Sequence, residues 1–168
     1  MFLTGFMGSG KSTLGRRVAE TLELRYVDLD SAIEGSARRR ISDIFSADGE
    51  AAFRAMERQA LQTALAHFPA LDLIALGGGA WPHNLDLIPA ERVIFIELPF
   101  EVLLKRALVG GNRPLARSRE QFETLWRERE PLYRRAGHIV SLTESEDVSA
   151  AAQRLIILLR DIRYGEAA

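Results

Sequence analysis

Residues Gly5-Phe6-Met7-Gly8-Ser9-Gly10-Lys11-Ser12-Thr13 decide how this chain folds. They fit the pattern G-x-x-x-x-G-K-[ST], in which glycines let the backbone curl until several N–H groups point inward at phosphate oxygens. A short apolar run, Met1-Phe2-Leu3, comes before it, and Leu14, Val18 and Leu22 recur after it at helical spacing. Strand, glycine loop and helix form the context that the pattern requires. The helix N-terminus adds partial positive charge at the loop. Gly8, Ser9, Gly10 and Thr13 belong to the cradle; Lys11 can reach the outer phosphates, and the Ser12 hydroxyl can ligate Mg²⁺. Lys11 and Lys105 are the only lysines, which weighs against an ordinary glycine turn.

The bulk composition suits a small enzyme. A chain of 168 residues is most simply one domain with a real core. The net charge of −1 provides no field to recruit nucleic acid or an anionic membrane. The absence of cysteine excludes disulfides, thiolate metal sites and cysteine nucleophiles. No apolar run nears the ~20 residues of a membrane span and no secretory leader is visible, so a cytoplasmic protein is expected. The first strand has almost no lead-in, which fits a native chain that starts slightly upstream.

Strands and helices alternate along the chain. Strands are predicted at 1–4, at 25–27 running into Asp28, at 71–76, 93–98 and 139–142. Helices are predicted at 11–22, in short pieces near 30–36 and 41–47, and at 49–68, 100–108, 119–130 and 148–161. The 49–68 helix carries Phe53, Met56, Ala60, Leu61, Ala64, Leu65 and Phe68 on one face; the last helix turns Val148, Ala152, Leu155 and Leu159 inward. Pro131 is expected to break or kink the chain just beyond the 119–130 helix. Residues 109–118 read as a flexible loop. Such alternation argues for a parallel sheet covered on both faces, with ligands at the carboxyl ends of its strands.

Three clusters sit at those ends or in loops. Asp28-Leu29-Asp30 comes after the second strand; alternate carboxylates on an extended stretch would face opposite sides, one holding Mg²⁺ through water and one accepting a hydroxyl proton. The plainer reading is a helix-capping aspartate pair. No acidic residue ends the 71–76 strand, which leaves Asp28 the better Mg²⁺ candidate. Gly77-Gly78-Gly79 lets a substrate approach backbone N–H groups closely, or makes a tight turn. Arg113 in Asn112-Arg113-Pro114-Leu115 could neutralise charge on a transferring phosphoryl group, or be a solvated loop arginine. Two further arginine sites are candidates. Arg54 and Glu57 are three apart on one helix face, so Glu57 could hold the Arg54 fork for a carboxylate; a surface ion pair is the alternative. Tyr133-Arg134 could bring a second fork. Arg38-Arg39-Arg40 reads as a solvated turn, and His67, His83 and His138 lack metal spacing.

The chain resembles the shikimate kinase family along nearly its whole length. The matching segments stand in family order: the glycine loop, Gly15-Arg16, Asp28-Leu29-Asp30, Ile33-Glu34, Ile44-Phe45, Gly49-Glu50, Phe53-Arg54-Ala55-Met56-Glu57, Gly77-Gly78-Gly79, Arg113-Pro114-Leu115 and Pro131-Leu132-Tyr133-Arg134. The resemblance implies an α/β P-loop NTPase fold, nucleoside-monophosphate-kinase-like, with three α/β/α layers and a five-stranded parallel sheet in the order 2-3-1-4-5. A substrate-binding segment at about 30–60 and a lid at about 109–118 would belong to the single domain. The implied activity is that of a phosphotransferase with an alcohol acceptor: Mg²⁺-dependent transfer of the ATP γ-phosphate to the 3-hydroxyl of shikimate, on the route to chorismate and the aromatic amino acids. The implied roles are Lys11 and the loop amides on phosphates, with Ser12 and Asp28 at Mg²⁺. Asp30 would bind the shikimate hydroxyls and assist deprotonation. Arg54, Arg134 and the Gly77–Gly79 backbone would take the carboxylate, with Glu57 orienting Arg54. Arg113 would arrive with the lid, and Arg106 would pack on adenine.

The family usually has glycine between Glu34 and Ile41, where this chain has Arg38, a departure that bears on the local turn. Thr143–Asp147 matches the family poorly, so no base-binding residue is assigned there. A monomer is expected. Two other readings compete. A gluconate kinase would share the glycine loop but not need both arginine sites with the triple glycine. A non-catalytic nucleotide-binding protein would be expected to lose Lys11, Asp30 or Arg113, and all three are present. A GTPase is disfavoured by the absence of an Asn-Lys-x-Asp motif.

Overall fold

A computed structural model describes residues 1–67, 72–109 and 118–165. The elements run β1 (Phe2–Thr4), α1 (Lys11–Leu22), β2 (Tyr26–Asp28), α2 (Leu29–Ala37), α3 (Ile41–Ala66), β3 (Leu73–Ala75), α4 (Ala80–His83), a 3₁₀ turn (Ala90–Arg92), β4 (Val93–Glu97), α5 (Phe100–Val109), α6 (Arg119–Tyr133), β5 (His138–Ser141) and α7 (Val148–Gly165). All strand pairs are parallel and the sheet order is β2-β3-β1-β4-β5, as the family resemblance implies. Leu3 of the central strand lies in register with Ala75 on one side and Ile94 on the other.

Burial explains the sheet. Successive residues of β1 and β3, and Val93 to Ile96 of β4, are all buried, so no face of these strands meets water. Such continuous apolar runs belong to parallel strands covered on both sides. The edge strands β2 and β5 are more exposed. From β1 the chain leaves to β2 on one side, returns through β3, and then crosses to β4 on the other side of β1. The crevice beyond the carboxyl ends of β1, β3 and β4 is therefore where an open parallel sheet gathers ligands.

Several local expectations need correction. Gly49, with φ 81° and ψ 174°, breaks α3 internally, so the two predicted pieces are real but abut in one element. Phe68 lies outside the described residues. Pro131 does not end α6, which continues to Tyr133. A proline in the last turns removes one N–H donor while leaving most of the ladder intact. Val148 does not face inward; it opens α7 and is 48% exposed, whereas Ala152, Leu155 and Leu159 are buried as expected. The α4 turn and the 3₁₀ turn are too short to leave a periodic signal. Among the described residues no helix is long and apolar enough to cross a membrane.

Arg38 ends α2 with φ 51°, and Glu34 Oε1 accepts a hydrogen bond from the Ile41 N–H at 3.0 Å to start α3. The left-handed position after a helix favours glycine because a Cβ crowds the following carbonyl. Arg38→Gly is expected to stabilise the fold by about 0.5–1 kcal/mol. The melting temperature should then rise by about 1–4 °C, read by calorimetry.

Candidate active site

The glycine loop closes over Lys11. Gly10 caps α1 in the left-handed conformation at φ 87°, and the loop turns back so that Ser9 N–H donates to the Phe6 carbonyl at 3.2 Å. Lys11 is buried, and its Nζ donates to the Gly5 carbonyl at 2.8 Å, the Phe6 carbonyl at 3.1 Å and Ser9 Oγ at 3.4 Å. The ammonium is thus stored inside the loop that would hold phosphates.

A cleft of about 500 Å³ opens from this loop. Gly8, Ser9, Gly10, Lys11, Ser12 and Thr13 line it, with Asp30, Gly78 and Arg106 among the other expected residues. Leu142, Thr143, Glu146, Asp147 and Val148 form another part of its wall. No role was assignable to that segment from sequence, because it carries no motif. Its place is set by the fold, since it links β5 to α7 at the same end of the sheet.

Asp28 and Asp30 do not share an extended stretch. Asp28 ends β2 and caps α2, its Oδ1 accepting from the Ser31 N–H at 3.0 Å, while Asp30 stands in the first helical turn. The capping reading therefore applies to Asp28, and the turn of the helix is what separates the two carboxylates. The Tyr26 hydroxyl stands between the Ser12 carbonyl, at 3.3 Å, and the Asp28 carboxylate. One hydroxyl thus bridges the Ser12 backbone and the Asp28 carboxylate. Among the described residues no group of three or more His, Asp or Glu could hold a metal. A hydroxyl and one carboxylate beside a phosphate loop suit Mg²⁺, which keeps waters and binds substrate phosphates rather than filling an all-protein cage.

Burial, reinforced by the charge of Asp28 and then by Glu57 and Glu34, and opposed by Lys11, pushes the Asp30 carboxyl up to about 6. Close side chains account for two of the three glycines, Gly77 and Gly79. A Cβ on Gly77 would lie 2.5 Å from Asp30 Oδ1, and one on Gly79 would lie 2.7 Å from both terminal nitrogens of Arg54. The glycines are needed because two charged side chains press against the backbone there.

Arg54 is held from two sides. Its Nη1 donates to both Glu57 oxygens, at 3.0 and 2.9 Å, and its Nη2 donates to Glu50 Oε1 at 3.0 Å. Glu57 is 1% exposed, so this is no surface ion pair. Burial raises the Glu57 carboxyl, while Arg54 and then Arg129 pull it back down.

Arg134 does not join the Arg54–Glu57 pair: it caps α6, is 51% exposed, and pairs with Glu97 and Glu130. Arg129 adjoins that pair instead: it is buried, acts on Glu57, and hydrogen-bonds the Tyr133 hydroxyl. The signal was present in the spacing. Phe122, Trp126, Arg129 and Tyr133 stand at i, i+4, i+7 and i+11, so Arg129 lies on the core stripe of α6. Arg134 is one residue round from it, about 100° away. Arg113 lies outside the described residues.

The position of Asp30 has a measurable cost. A carboxyl whose folded pKa exceeds its unfolded value costs no stability below about pH 4, and the cost grows as pH rises through 6. In metal-free buffer, Asp30→Asn should stabilise the chain at pH 8 by about 2–3 kcal/mol, raising the melting temperature by about 5 °C. The gain should vanish near pH 4. An equal shift at both pH values would contradict it.

Known proteins share this architecture. A family model for shikimate kinase matches residues 7–160. A shikimate kinase of Synechococcus elongatus is 37% identical over 167 residues, covering 96% of this chain and 87% of that protein. Among solved structures, shikimate kinase from Acinetobacter baumannii in complex with shikimate has a TM-score of 0.83 and 30% identity, covering 99% of this chain and 94% of that one. A deoxyadenosine kinase from M. mycoides, at 15% identity and a TM-score of 0.59, covers 96% of this chain and all of its own, and shares the fold alone. With the family model spanning most of its length and close relatives along nearly all of it, the chain belongs to the shikimate kinase family.

Proposed function

We propose that this protein transfers the γ-phosphate of ATP to the 3-hydroxyl of shikimate, giving shikimate 3-phosphate and ADP. The observation that carries the proposal is the Arg54–Glu57–Arg129 cluster beside Gly77–Gly79 and Asp30, where Asp30 and Gly78 also line the cleft that starts in a phosphate loop. Shikimate has one carboxylate and three hydroxyls. Two arginine forks and one aspartate complement that pattern.

Lys11 and the loop N–H groups bind the ATP phosphates, and Lys11 exchanges loop carbonyls for phosphate oxygens. Arg106 packs on adenine at the cleft wall. Ser12 and Asp28 would hold Mg²⁺, which would neutralise phosphate charge when bound. Arg54 and Arg129 grip the shikimate carboxylate, and Glu57 keeps the two forks together. Asp30 accepts the proton of the 3-hydroxyl as that oxygen bonds to the γ-phosphorus and the bond to ADP breaks. Its raised pKa suits a group that must take up a proton near neutrality. Arg113, on the 109–118 segment, neutralises the transferring phosphoryl group and closes the site to water.

The direct test is Mg²⁺-dependent ADP release from ATP with shikimate, gluconate or no acceptor. Release that requires shikimate is expected. Release with gluconate alone would keep the fold and defeat the arginine argument. Variants then separate the two candidate forks. Arg129→Lys should raise the shikimate KM about tenfold or more with the ATP KM nearly unchanged, because an ammonium cannot replace a bidentate fork. Arg134→Lys should leave both values within about twofold, since Arg134 is itself 51% exposed and is held by Glu97 and Glu130. The opposite ranking would return the role to Arg134. Asp30→Asn should lower kcat by about two or more orders of magnitude in a folded protein; a near-normal kcat would remove Asp30 from proton handling.

A further inference from the structure

Tyr133 carries a hydroxyl in a fully buried position, at 0% exposure. Its O–H donates to the Gly78 carbonyl, and the Arg129 guanidinium donates to the same phenol oxygen. Burial raises its pKa, so the group stays a donor through the working range. The ring is clamped independently of both partners: it stacks on Phe95 of β4 at 5.2 Å, and Phe6 of the phosphate loop meets it edge-on at 6.5 Å. The hydroxyl is therefore fixed by the core rather than by the groups it touches.

Gly78 is the middle of three glycines, a stretch with little intrinsic resistance to turning over a peptide unit. A peptide unit is planar and trans, so fixing the Gly78 carbonyl towards Tyr133 fixes the Gly79 N–H in the opposite direction. We propose that Tyr133 is a positioning residue for the substrate carboxylate: its hydroxyl ties the Arg129 fork and the Gly78–Gly79 peptide at one spacing. The ring alone fills the core; the hydroxyl orients two donors at once. This rests on the shikimate kinase reading of the same site.

The test is Tyr133→Phe in the full chain, which keeps the ring and its packing. The shikimate KM should rise about tenfold, with the ATP KM within about twofold and kcat changed less than the KM. A purely structural hydroxyl would lower the melting temperature without this split. An unchanged shikimate KM, or a parallel rise for ATP, would overturn the proposal. In an Arg129→Lys background the same change should add much less than its full factor, because Tyr133 acts partly through Arg129; full multiplication of the two effects would count against the link. A measurement on the unmutated side chain guards against a misfolded variant. In protein carrying 3-fluorotyrosine, the Tyr133 resonance, assigned with Tyr26→Phe and Tyr164→Phe, should move on adding shikimate and far less on adding its methyl ester. No movement with shikimate would overturn the proposal. Absence of shikimate turnover by the wild type would overturn the kinase reading and this role together, whereas turnover with an unchanged KM in the variant overturns this role alone.

Discussion

Glu57 is a carboxylate with 1% exposure, and the Arg54 and Arg129 forks are arranged around it. A buried carboxylate without a partner gives up its charge. Here one fork is hydrogen-bonded to it and a second acts on it from α6. Two guanidinium groups would otherwise repel; a shared anion between them lets both converge on one place. One carboxylate against two forks leaves a single positive charge over. Glu50 answers part of that excess, but from a more exposed position, where water weakens it. The remaining demand for a buried anion is what the proposed grip on a substrate carboxylate would meet.

That arrangement imposes a steric condition on the backbone opposite. Arg54 and Asp30 reach across to Gly79 and Gly77 so closely that any side chain there would displace them. The triple glycine thus serves charge placement before it serves substrate approach. The loss of side chains has a second consequence, a backbone free to turn, and Tyr133 supplies the missing restraint through the Gly78 carbonyl. Charge burial, glycine and tyrosine form one chain of dependence. Removing Cβ atoms makes room for the charges, and the buried hydroxyl restores the order that the glycines give up.

The large-scale fold was legible because its signals are local and redundant. The glycine loop needs a strand before it and a helix after it, and both are where the apolar spacing puts them. The strand order came from the resemblance, since nothing in local spacing tells which strands become neighbours. The site was less legible where long-range contact decides. Treating Pro131 as a break separated Tyr133 and Arg134 from the helix before them; with α6 continuous to Tyr133, the stripe through Phe122, Trp126 and Arg129 reaches the tyrosine, and Arg134 turns away to Glu97. Asp28 and Asp30 both stand out in the sequence, yet a helix starting at Leu29 separates them rather than strand alternation. The Thr143–Val148 wall of the cleft has no chemical signature; only the position of β5 in the sheet reveals it.

The two halves of the cleft are joined at a position the phosphate-loop pattern leaves open. Phe6 is an unspecified residue of that pattern, yet it is fully buried. Its ring meets Phe122, Trp126 and Tyr133 of α6 edge-on, with centroids 4.9, 5.2 and 6.5 Å away. α6 is also the helix that carries Arg129. The loop that would hold ATP and the fork that would hold the acid are therefore packed against each other through aromatic rings, which have few rotamers and well-defined contact geometry. In-line phosphoryl transfer depends on the spacing between donor and acceptor more than on any covalent chemistry of the protein. Glycine and lysine in the pattern bind phosphate in any such loop. The residue between them, buried against α6, ties that loop to the helix that carries Arg129.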